Sequence, residues 1–228
     1  MEELYPNAPL VEAIFEIRFP PVLAIESLRH EFQAAVKDEF PIVLFPVIQP
    51  GEAPSLRPYH FASPDGARAL MISVSNIAYS SKDYREFSTF KFQVLEHLEG
   101  IIRKYDIGDL TRTGLRYTNV LPFIRESGLV PLARYFKLNL SFDGFSNFEL
   151  RTVVPQASGN IFVRIEQVVS TDQTQEAFVL DFDYAKKDQL NARNLPEYLD
   201  ESHECTKRFF ERLITDDYRK IMRGEIIS

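Results

Sequence analysis

The sequence predicts an α+β protein: an antiparallel sheet with long helices packed on one of its faces. Three observations carry this. Residues 11–19 read V-E-A-I-F-E-I-R-F, which places Val11, Ala13, Phe15, Ile17 and Phe19 on one side of a strand and Glu12, Ile14, Glu16 and Arg18 on the other. Two stretches, 84–104 and 196–213, repeat apolar residues at helical spacing. The elements fall in the order β-α-β-β-(β)-α twice over. Runs of strands closed by a helix, without strict strand–helix alternation, favour antiparallel pairing.

The elements follow in order. Pro20 and Pro21 stop the first strand, and a helix over 28–36 ends before Pro41. Pro41, Pro46, Pro50 and Pro54 interrupt residues 41–58, which read as a loop with one edge strand. Ser63-Pro-Asp-Gly66 is turn chemistry, because Pro presets φ and Gly accepts positive φ. It joins 57–62 to a strand over 67–78 in a hairpin. The helix over 84–104 carries Phe87, Phe90, Val94, Leu98 and Ile101 as its inner stripe.

A strand over 111–121 opens the second half. A short helix near 129–136 and strands over 148–154, 161–169 and 177–184 follow. The closing helix starts with Pro196 in its first turn, as helix starts favour, and Thr215 reads as the N-cap of a final turn. The halves divide near Asp109, into 1–109 and 110–228. They share element order without residue identity, which is the signature of a degenerate duplication.

Composition excludes several classes. The chain has 228 residues, 26 Lys and Arg against 33 Asp and Glu, and a net charge of −7. A hydrophobic share of 45% with 26% charged residues is that of a folded globular chain. One Cys rules out a disulfide framework or a cysteine-rich zinc cluster. No apolar run reaches 18 residues, and the N-terminus lacks a signal-peptide core. The expectation is a cytoplasmic protein with no membrane segment. Net acidity without a basic run argues against nucleic acid as partner. No phosphate-binding loop, Gly-x-Ser-x-Gly elbow or paired-His spacing is present, so no cofactor is expected.

Asn7-Ala-Pro-Leu-Val-Glu-Ala-Ile-Phe-Glu-Ile-Arg-Phe19 resembles the opening of a sporadically distributed, uncharacterised bacterial family of similar length. Gly114-Leu-Arg-Tyr-Thr-Asn119 and the closing Phe209-Phe210 with Ile214-Thr-Asp216 fit the same family, over essentially the whole chain. The resemblance brings no catalytic residue with it. Its sporadic occurrence implies an accessory role, in a mobile or defence locus.

The residues that could carry chemistry are charges set within strand alternation. Arg18, Arg112, Arg116 and Arg164 are candidate anion ligands, since a guanidinium forks onto phosphate oxygens. Arg151 is placed to join them. Glu16, Asp181 and Asp183 are the candidate Mg²⁺ ligands of a metal-dependent phosphohydrolase, or of a polyphosphate- or nucleotide-binding protein. Its first strand would then look like the Glu-x-Glu-x-Lys strand of triphosphate tunnel enzymes. Here Ile14, Glu16 and Arg18 stand at those positions, so the first acid is missing and Arg replaces Lys. The competing reading of the same charges is cross-strand ion pairing on a wet sheet face.

On the opposite side of the 111–121 strand, Tyr117 and Asn119 could line a pocket or belong to the core. His203 and Cys205 fall on different faces of their helix, so they form no nucleophilic pair, and Cys205 reads as a buried small apolar residue. Most of the 19 Phe take inward positions. Tyr79, Tyr84, Phe142 and Phe145 are the exceptions, the last two as a candidate partner surface. The leading expectation is a protein that works by binding, as a partner or sensor component. A phosphohydrolase or a structural homo-oligomer, such as a homodimer, is the alternative.

Overall fold

The computed structural model describes residues 5–45, 50, 58–141 and 144–225, apart from the side chains of 188 and 189. Among the described residues nine strands form one antiparallel sheet, in the order β2-β3-β4-β5-β1-β6-β9-β8-β7. The first half supplies β1 (Leu10–Arg18), β2 (Ile42–Leu44), β3 (Tyr59–Ala62), β4 (Arg68–Ile72) and β5 (Asn76–Ser81). The second supplies β6 (Asp109–Phe123), β7 (Glu149–Pro155), β8 (Asn160–Val169) and β9 (Glu176–Asn191). The helices are α1 (Ala24–Ser27), α2 (Arg29–Val36), α3 (Phe87–Lys104), α4 (Leu132–Tyr135), α5 (Leu195–Leu213) and α6 (Asp216–Arg223).

The strand order makes the repeat visible. Each half places its first strand at the centre, pairs it with its last strand, and meanders outward from there. The halves meet where β1 pairs with β6, so the sheet runs unbroken through the boundary at Asp109. The closing helix of each half lies on its own last strand, α3 on β5 and α5 on β9, and the two helices touch. Two apolar clusters result. One gathers Phe15, Ile17, Tyr79, Phe90 and Leu98 beneath α3. The other gathers Phe178, Phe182, Phe136 and Met222 beneath α5 and α6.

Three expectations need correction. The single strand expected over 67–78 is two strands, β4 and β5. The chain reverses at 73–75, where Ser73 N–H donates to Asn76 O at 3.0 Å or less (2.9 Å) and serine and asparagine side chains, both turn formers, meet. The strand expected to end at Tyr184 continues to Asn191, because Lys186, Lys187, Leu190 and Asn191 pair with the start of β6. Its polar sequence conceals a central strand. Tyr79 is fully buried, with its hydroxyl donating to Gln93 Oε1 at 3.1 Å. The expected cap is present: Thr215 Oγ1 accepts from Tyr218 N–H at 3.1 Å. No helix among the described residues is long and apolar enough to cross a membrane.

Candidate functional site

The helix-free face of the sheet collects the charges. Alternation sends Phe15 and Ile17 under the helices, and Glu16 and Arg18 the other way. Register extends the rule across strands: Glu16 faces Gly114 and Arg18 faces Arg112 on β6, Arg116 faces Asp183 on β9, and Asp181 faces Arg164 on β8. Arg151 on β7 faces Arg164. The seven candidate ligand and metal residues therefore share one face.

Each guanidinium on that face is held by a carboxylate. Arg112 donates to Glu16 Oε1 at 2.8 Å and to Asp183 Oδ2 at 2.5 Å. It lies flat over Gly114, where a Cβ would stand 2.5 Å from its Nη1. Arg116 grips both oxygens of Asp181, at 2.8 and 2.6 Å. Arg18 also reaches Glu16 (2.7 Å), Arg151 takes Glu149 (2.6 Å), and Arg164 pairs with Glu166. The hydrogen bonds that Arg116 donates to Asp181 raise its pKa above the ordinary value. Burial pushes the Asp183 carboxyl up, with the Arg112 guanidinium opposing it.

Arg116, Arg151, Arg164, Phe162, Asp181 and Asp183 line an open groove of about 450 Å³. A phosphate there would have to displace a carboxylate from each arginine. Asp181 and Asp183 turn to different arginines, and among the described residues no group of three or more His, Cys, Asp or Glu is placed to hold a metal ion. Arg112 and Arg116 make cross-strand ion pairs on this open face, and Arg18, Arg151 and Arg164 pair with acids two residues away on their own strands.

A different site forms on the helix side, where the two halves meet. The segment leading into α3, the start of β1, β6 and α5 converge there on a cavity of about 150 Å³ whose exposed lining is mostly apolar. Its aromatic wall is Phe87 stacked on the His203 ring, with centroids 3.9 Å apart and planes 5° from parallel. Tyr84 meets Tyr117 edge-on at 5.7 Å, and Phe182 and Phe210 supply further rings. Polar groups converge among them. The Tyr117 hydroxyl lies 2.9 Å from His203 Nδ1, and both residues are over 90% buried. Asn119, 5% exposed, donates its amide to Leu180 O at 3.2 Å.

Residues 8–10 build one wall, and the anchors in and before them give the N-terminal motif a physical role. Asn7 N–H donates to Met222 O at 2.9 Å, and Pro9 O accepts from Val120 N–H at 2.9 Å. The Tyr5 hydroxyl reaches Glu211 at 3.0 Å. Ala8, Pro9 and Leu10 are thereby held against the opening. Glu211 is itself held by Arg219 (3.0 Å).

Sequence reasoning named Tyr117 and Asn119 as pocket candidates, and both line this cleft, as does Tyr84, which it set apart from the aromatic core. It missed His203. The partners of that residue lie 86 positions away at Tyr117 and on α3 at Phe87, and no local spacing points to them. Cys205, expected to be buried, is partly exposed, and desolvation raises its thiol pKa. Phe145 is half-buried against Phe148, with centroids 5.6 Å apart, and Phe142 lies outside the described residues. A scan against protein-family models and a search of curated proteins each found no match.

Proposed function

We propose that this protein acts by binding, as the sensor component of a multi-protein system, with the cleft between its two halves as the ligand seat. The observation that carries the reading is the composition of that cleft. An apolar, aromatic-walled cavity meets a few convergent polar groups, which is the usual make-up of a small-molecule site. Its walls come from both halves, so an occupant with different affinity for two arrangements of the halves would shift their balance. A protein partner or a second copy of the chain would read that shift. The ion-paired sheet face supports the phosphohydrolase reading less well, because its arginines are already engaged.

The test is a thermal-shift screen with small aromatic and aliphatic molecules on the wild type and on Ala8→Trp. Ala8 is an exposed wall position, so a large side chain there should block the cleft without disturbing the core. The expected result is a set of compounds that raise the wild-type Tm and leave Ala8→Trp unmoved. Equal shifts in both proteins, or no shift with any compound, would overturn the reading.

A further inference from the structure

The chemistry of the cleft narrows its occupant, an inference that rests on the binding reading above. Its volume of about 150 Å³ is that of an apolar cavity able to take one benzene-sized ring. The stacked Phe87–His203 pair and the ring edges of Tyr84 and Phe210 favour a flat aromatic guest through offset and edge contacts.

One acceptor of the lining has no donor among the described residues. Asn119 places its amide nitrogen on Leu180 O. That bond fixes the amide orientation, because the flipped form would set two carbonyl oxygens together. Oδ1 of Asn119 then receives no hydrogen bond from any described residue. Asn119 lines the cleft, so a donor on a bound ligand can supply the hydrogen bond that Oδ1 lacks.

The geometry points to a single-ring aromatic ligand that carries an O–H or N–H group, its ring in the aromatic cleft and its donor on Asn119 Oδ1. Phenol and toluene are probes of nearly one shape that differ in this donor, and anisole keeps the ring-bound oxygen but lacks the O–H. Titrations into the full chain, followed by NMR, should show phenol binding about tenfold or more tightly than toluene or anisole. In Asn119→Leu the preference should fall to within about twofold, with toluene still bound.

Toluene binding as well as phenol in the wild type, with Ala8→Trp blocking both, would overturn the donor inference and leave the cleft reading standing. Neither compound binding, or both binding undiminished to Ala8→Trp, would overturn the two together. The wild-type comparison needs no substitution at Asn119, so it decides the matter even where Asn119→Leu fails to fold.

Discussion

Phe178→Ala is expected to cost about 4 kcal/mol of folding stability, the largest single effect among the core positions considered. Phe178 is fully buried on β9. Its ring stacks on Phe123 at 4.4 Å and meets Phe136 edge-on at 5.1 Å and Tyr135 at 5.4 Å. Those partners come from the end of β6 and from the end of α4 with the residue after it, so one ring ties α4 to β9 and the end of β6. The cavity left by Ala is walled by aromatic side chains that β6 and the helix fix in place, and they cannot collapse into it. Phe162 is the control. It lies on neighbouring β8 facing away from the helices and is 40% exposed, so Phe162→Ala should change stability far less. Urea unfolding of the two variants checks the pair. A Phe178→Ala loss below about 1 kcal/mol would contradict the packing described.

Arg112→Met should cost about 2–3 kcal/mol at pH 7, less than the 3–5 seen when a fully buried pair is broken. Arg112 is 13% exposed, and its partners Glu16 and Asp183 are 22% and 30% exposed. Removing the cation leaves two carboxylates facing each other across Gly114. The pH dependence has a defined sign. Burial raises the Asp183 pKa in the folded chain, so folding favours its protonated form. The stability from that proton is complete below the ordinary carboxylate range and is lost as pH rises through the raised value.

Arg112 offsets that loss. Without it the penalty grows, so the deficit of Arg112→Met should be largest at neutral pH and shrink as pH falls toward about 4. Adding Asp183→Asn should restore more than half of it. Denaturation curves across this range would refute the description if Arg112→Met matched the wild type at pH 7, or if its deficit did not change with pH.

Much of the fold is legible in the sequence because the relevant signals are local. The alternation of 11–19 gives β1 and the sides of Glu16 and Arg18. Pro-Asp-Gly gives the β3–β4 turn, and Thr215 gives the start of α6. The same parity rule separates Arg112 and Arg116 from Tyr117 and Asn119, and that separation distinguishes the two candidate sites.

What the sequence concealed depends on distant partners. The break at 73–75 looks like the interior of one strand because Ile72, Val74 and Ile77 are all apolar. The polar end of β9 reads as loop until β6 is seen to pair with it. His203 looks idle beside Cys205 because Phe87 and Tyr117 reach it only once α3 and α5 pack together. Whether the arginines stand bare or paired is likewise set by register between strands, which spacing within one strand cannot supply.

The most direct measurement of the central claim is amide chemical-shift mapping of the full chain during a phenol titration. The cleft reading predicts that shifts gather on 84–87, 117–119 and 203–211 and stay small on the opposite sheet face. Shifts centred on Arg116, Phe162 and Asp181, or no shift as phenol rises to millimolar levels, would contradict it.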